Sequence, residues 1–202
     1  MSTNPQARSW IRVRADALKQ NFSRLRDEVG PETRIIPMVK ADGYGLGVKQ
    51  TVRTLQAEDP WGWGVATADE GLELRERGVE APIIVFCPLT GESLDRALSG
   101  DLQLTVSSLM GLDEVITRAY KLDRKPHVHV DINTGMGRTG FDWRVASSWL
   151  PRLQEAASDS INWVGFFTHL HSADEDELSV HNQWSRLQEV LAQLKNPPDG
   201  LM

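Results

Sequence analysis

The sequence predicts an α/β fold of the (β/α)8 TIM-barrel type, here shortened to about six strand–helix units. Three observations lead there. Apolar runs of strand length alternate with amphipathic stretches of helical period along most of the chain. Repeated strand–helix units with strands buried on both faces argue for a parallel sheet. Each unit is also short enough to wind with its neighbours as a barrel. A complete barrel has eight units and typically about 250 residues, so a chain of 202 residues with about six units is expected to be a barrel cut short.

The elements follow in order. A short strand is expected at Trp10 to Arg14, within an N-terminal segment 1–14. Leu18, Phe22, Leu25 and Val29 then recur at helical spacing, and Gly30 with Pro31 supplies the stop. Strands are predicted at Arg34 to Val39, Trp63 to Ala66, Pro82 to Cys87, Leu102 to Val106, Val128 to Ile132 and Trp163 to Thr168. The helices between and after them are predicted at Val48 to Gln56, Ala68 to Arg77, Glu92 to Leu98, Leu109 to Tyr120, Trp143 to Ala156 and Ser179 to Leu194. Thr67 with Glu70 makes a capping box and Gly78 ends that helix. Val180, Trp184, Leu187, Leu191 and Leu194 form one apolar stripe on the last helix, read as a core-facing surface. Asn196, Pro197 and Pro198 signal a turn, so a seventh strand would begin near Gly200 to Met202.

Composition narrows the function classes. With 40% hydrophobic and 25% charged residues the chain is ordinary globular protein. A net charge of -6 argues against nucleic acid or an anionic membrane as partner and favours a small molecule. Cys87 is the single cysteine, which leaves no internal disulfide and no thiolate cluster and fits a reducing compartment. The start MSTNPQARSW has no apolar signal region and no stretch approaches the roughly 18 apolar residues of a membrane span. A cytoplasmic protein is expected.

One segment carries chemistry. Arg34 to Gly47, RIIPMVKADGYGLG, delivers Lys40 to the end of an apolar run and then turns through Gly43, Gly45 and Gly47. Glycines let a loop pass close to a ligand, and the run aims the lysine amine at a pocket mouth. A solvated lysine at a strand end is the ordinary alternative.

Four segments decide between these readings by resemblance. MVKADGYGLG resembles the pyridoxal-phosphate lysine motif of alanine racemases, close to VVKANAYGHG in that family. His127 to Phe141, HVHVDINTGMGRTGF, is similar to the family strand followed by DTGMGRLGF, and VGFFTHLHSADE from Val164 resembles GIFTHFATADE. A weaker match runs from Trp63 to Pro88. Together they cover the chain from Trp10 onward in the family's order.

The resemblance implies residue roles. Lys40 would form the Schiff base with pyridoxal 5'-phosphate and act as the base on one face of the substrate α-carbon. Tyr44 would reach the cofactor phosphate, Arg138 the cofactor ring hydroxyl and the substrate carboxylate, and His169 would stand behind the ring. Asp131 stands where many members carry a carbamylated lysine, so it would supply that anion from a shorter arm. Asn133 replaces an aspartate and Leu46 a frequent histidine, and neither has an assigned role. His171 would point to the opposite face if the strand continues and His181 lies on a predicted helix, and the acids Asp174, Glu175 and Asp176 around them read as a solvated turn rather than as a metal site.

The family's C-terminal β domain is expected to be absent, and with it a second catalytic tyrosine that a partner subunit would contribute. The loops that grip phosphate after strands seven and eight are expected to be absent too. The implied activity is interconversion of L- and D-alanine for the cell wall by a homodimer. A racemase of serine or lysine, a cofactor-holding barrel without catalysis, and an inactive fragment remain the competing readings. Cofactor-holding barrels of this kind carry their lysine in a setting close to AVSKT and lack TGMGR.

Overall fold

The computed structural model describes residues 11–194, 197–198 and 200–201. The chain divides into two compact units, one ending at Trp63 and one beginning at Gly64.

In the first unit, α1 (Ala15–Val29) buries Phe22 and stops at Gly30, where φ is 79° and the amide donates to the Arg26 carbonyl at 3.1 Å. The strand expected at Trp10 to Arg14 falls partly outside the described residues, and 11–14 carry no strand. The strand expected at Arg34 to Val39 is a correction. Only Met38 makes a lone bridge, and the Ile35 carbonyl is taken by the Trp61 amide at 3.1 Å. Apolarity reports burial and not pairing, and here a loop donor occupies a carbonyl that a neighbouring strand would have used.

Next come a five-residue turn α2 (Lys40–Tyr44), α3 (Val48–Leu55) and a 3-10 turn (Gln56–Glu58). α3 buries Val48, Thr51, Val52 and Leu55 and packs against α1.

The second unit repeats strand and helix. It runs β1 (Trp63–Val65, opening on the junction residue), α4 (Ala68–Glu76), β2 (Ile83–Val85), α5 (Gly91–Ser99), β3 (Leu104–Val106) and α6 (Leu109–Lys121). It continues with β4 (His127–Asn133), β5 (Phe141–Asp142), a 3-10 turn (Trp143–Val145), α7 (Ala146–Asp159), β6 (Asn162–Phe167), α8 (Glu177–Leu191) and β7 (Gly200–Leu201). The capping box at α4 forms as expected: Thr67 Oγ1 accepts from the Glu70 amide and the Glu70 carboxylate accepts from the Thr67 amide. The last helix starts two residues before the predicted Ser179, because the Asp176 carboxylate caps it through the Ser179 amide at 3.1 Å.

The strands pair in parallel in chain order. β1 joins β2, a bridge from Ile84 to Gln103 leads toward β3, and β3, β4, β6 and β7 follow side by side. A doubly wound sheet would reverse direction at a switch point. Sequential order is instead what a barrel wall requires. β7 begins where the turn signal places a seventh strand, and its approach explains Gly165, since a Cβ there would collide with the Gly200 backbone. β5, a two-residue partner of β4, has no counterpart in the sequence reading.

Both faces of β4 are buried. Val128, Val130 and Ile132 point one way and His129 and Asp131 the other. Thr105 lies beside His129 in register, so a polar row runs along one face of β3 and β4.

Candidate active site

The candidate side chains lie on segments that leave the regular helical and strand ladders. In the first unit Lys40 opens α2, a turn in which Ala41, Asp42 and Gly43 have φ of 51°, 54° and 64° and ψ near 40–52°. Tyr44 follows at φ 56°. This turn winds left-handed, and for a residue with a Cβ each such position costs roughly 1–2 kcal/mol. Hydrogen bonds hold it in place. The amides of Gly43, Gly45 and Gly47 donate to the carbonyls of Val39, Ala41 and Asp42 at 2.9, 3.0 and 2.9 Å. The Asp42 carboxylate accepts from the Val48 amide at 2.7 Å, fastening the turn to the start of α3. Backbone strain of this kind persists where surrounding structure over-determines it, and it clusters at functional positions. The turn leaves Lys40 half-buried, with Nζ 5.8 Å from the centre of the exposed Tyr44 ring.

In the second unit the turn after β4 carries Arg138. Asn133, which the sequence left unassigned, organises that turn: its Oδ1 accepts from the amides of Gly135 and Gly137 at 3.2 and 3.0 Å. Gly140, at φ 109°, completes it, because a Cβ there would come within 2.5 Å of the Asn133 nitrogen. Arg138 projects into solvent from the middle of the loop.

Asp131 lies beneath. Asp131 is 5% exposed, and its carboxylate accepts from Thr139 Oγ1 at 2.6 Å. Burial raises its pKa from the usual carboxylate value, while the Thr139 hydrogen bond and the positive charges of Arg138 and His169 pull it down. Among the described residues Asp131 makes no direct ion pair with Arg138. It holds instead the residue next to Arg138 in the loop.

β6 ends at Phe167, and His169 stands exposed two residues beyond it. His171 Nδ1 lies 2.7 Å from Ser172 Oγ, and His181 faces Glu177 on the surface of α8 at 3.5 Å. No group of three His, Cys, Asp or Glu among the described residues is arranged to hold a metal ion. Leu46 is 39% exposed.

Asp131, Thr139, Arg138 and His169 thus gather at the carboxyl ends of β4 and β6, and Lys40 pairs with Tyr44 on its own turn. Sequence reasoning missed Asp42, Asn133 and Thr139. Asx turns at Asp42 and Asn133 were detectable in principle, because Asp or Asn just ahead of glycines caps backbone amides.

Parallel strands in chain order, with Asp131, Arg138 and His169 at or beyond the carboxyl ends of β4 and β6, follow the pattern of an α/β barrel wall. The family model for the alanine racemase N-terminal domain matches residues 13–201. Alanine racemase 1 of Oceanobacillus iheyensis is 32% identical over 191 residues, 93% of this chain and 50% of that protein. The crystal structure of alanine racemase from E. faecalis superposes with a TM-score of 0.84 at 29% identity, over 93% of this chain and 51% of the other. Histidine racemase from Leuconostoc mesenteroides subsp. sake has the same fold, with a TM-score of 0.85 at 20% identity over 93% of this chain and 50% of its own. The chain belongs to the alanine racemase family, and it spans about half the length of the curated relatives it matches.

Proposed function

We propose that the protein is an alanine racemase that uses pyridoxal 5'-phosphate to interconvert L- and D-alanine in the cytoplasm as a homodimer, supplying D-alanine for peptidoglycan. The observation that carries this reading is the strained left-handed turn that presents Lys40 beside Tyr44. The donor set fits the cofactor: an amine for its aldehyde, a phenol hydroxyl for its phosphate, and a guanidinium fork for its ring oxygen and a substrate carboxylate. When bound, the cofactor supplies an electron sink that acidifies the substrate α-carbon.

The chain's own residues do the rest. Lys40 takes and returns the proton at that carbon from one side. Arg138 orients the substrate by its carboxylate, and the Asp131 to Thr139 hydrogen bond fixes the loop from which Arg138 extends. No helix among the described residues is long and apolar enough to cross a membrane.

The test is borohydride reduction of the chain mixed with pyridoxal phosphate, followed by peptide mass mapping. A single adduct on the peptide bearing Lys40, absent from Lys40→Ala, is the expected result. Adducts spread evenly over surface lysines overturn the assignment. A racemase of another amino acid, such as serine or lysine, would label Lys40 equally, and rates with each amino acid separate it from the alanine enzyme.

Asp131 yields a second expectation. Because a carboxylate supplies the anion without carbon dioxide, racemisation by the full-length enzyme should be indifferent to bicarbonate, and Asp131→Ala should lower its activity about 10-fold or more, as loss of a supporting partner does elsewhere. Unchanged kcat and KM in a folded Asp131→Ala protein would show that the residue only fills space.

A further inference from the structure

Gln183 on α8 is fully buried at 0% exposure and lies on no motif that the family resemblance uses. Its amide is fully engaged. Nε2 donates to Thr134 Oγ1 at 3.0 Å and to the His169 carbonyl at 2.9 Å, and Oε1 accepts from the His171 amide at 3.0 Å. The orientation of the amide is fixed by its partners, since a carbonyl can only accept and a backbone N–H can only donate.

The proton order continues outward. Thr134 Oγ1, having accepted from Gln183, lies 2.7 Å from Thr168 Oγ1, and the Thr168 hydroxyl donates to the Ile132 carbonyl at 2.8 Å. The Thr134 hydroxyl therefore donates to Thr168. Arg186, one helical turn on, donates to the Thr134 carbonyl at 2.7 Å while its guanidinium lies 5.4 Å from the centre of the Trp143 ring. Gly135 is the residue that lets α8 come this close, since a Cβ there would meet Arg186 Nη1 at 3.0 Å and Gln183 Cγ at 3.3 Å.

We propose that Gln183 is a positioning residue: it clamps the turn after β4 to the end of β6 and so sets where Arg138 and His169 stand over Asp131. The proposal rests on the reading of Arg138 and His169 as cofactor-contacting residues, but the clamp itself is testable without cofactor. A closed network in which every buried donor and acceptor is used rigidifies the segments it joins. Thr134 begins the loop that Asn133 and the Asp131 to Thr139 bond shape around Arg138. On the other side the clamp grips His169 by its own carbonyl.

The experiment compares the full chain with Gln183→Leu, similar in volume but unable to hydrogen-bond, by NMR. Amide exchange at residues 134–140 and 169–171 should quicken about tenfold or more, as expected when buried partners are left unsatisfied, with the other strands unchanged. The Asp131 carboxyl titration should move upward by about half a unit or more, because the positive charges that pull it down are no longer held in place. A helix glutamine that merely fills space would leave that titration where it was. Should Gln183→Leu fail to fold, Thr168→Val breaks the same chain at its far end and is read in the same way. A folded variant with unaltered exchange in both segments and an unaltered Asp131 titration overturns the clamp.

Cofactor is tested separately. Half-saturation of the Lys40 adduct should need about tenfold more pyridoxal phosphate in Gln183→Leu, the lower end of what loss of a supporting partner costs. If wild-type protein forms no Lys40 adduct while exchange and titration shift, the cofactor reading of Arg138 and His169 fails and the clamp stands.

Discussion

On the proposed reading, replacing Lys40 by alanine in the full-length enzyme is expected to remove racemisation altogether, a fall of about a thousandfold or more. Two roles depend on the one amine: attachment of the cofactor aldehyde, and removal of the α-proton, which as general base catalysis alone contributes about 10²- to 10⁴-fold. No other amine lies on that turn, and Tyr44 beside it is a phenol, which cannot form an imine. The loss should not trace to unfolding. Lys40 is only half-buried, and the turn is held by backbone bonds and by the Asp42 carboxylate, which the substitution leaves in place. Circular dichroism and the thermal midpoint of Lys40→Ala should therefore match wild type while D-alanine formation, followed by coupled oxidation, disappears. Substantial turnover in purified Lys40→Ala protein without added amines would end the assignment of this lysine.

Much of this site was readable before the fold was known, because the signals are local. The capping box at Thr67 and Glu70 needs only four residues, and it forms as written. Gly43, Gly45 and Gly47 announced a turn with positive φ. That Ala41, Asp42 and Tyr44 share the left-handed conformation was not readable, since residues with a Cβ avoid it unless tertiary structure insists. The strand expected at Arg34 to Val39 failed for the complementary reason: of its apolar residues only Val39 is fully buried, and pairing depends on what lies alongside. Gln183 was invisible in the sequence because its partners lie 12 to 49 residues away and meet it only once β4, β6 and α8 are assembled.

The polar row on β3 and β4 makes stability fall on acidification. His129 is 1% exposed, with Nε2 2.6 Å from Gln103 Oε1 and no hydrogen-bond partner at Nδ1. Since the Gln103 oxygen can only accept, Nε2 carries the proton and Nδ1 is a bare acceptor. Protonating Nδ1 would place a charge in the wall of the sheet with nothing to receive its hydrogen. Burial, with a smaller contribution from His127, accordingly lowers the His129 pKa from 6.5 to about 4. The unfolded chain then binds the proton first. Stability is fully present above about pH 6.5 and is lost as pH falls toward 4, by about 3 kcal/mol at 1.36 kcal/mol per pKa unit. Asp131 acts with the opposite sign, since its raised pKa favours the protonated native carboxyl and its cost grows as pH rises above the ordinary aspartate value. Between pH 6.5 and 4.5 the two contributions oppose each other, and replacing His129 alone separates them. Urea unfolding across this interval should show wild-type stability dropping steeply, and His129→Gln, which cannot titrate, should flatten the slope even if it lowers stability throughout. A pH profile with the same slope in both proteins would mean that His129 is not the group that takes up the proton.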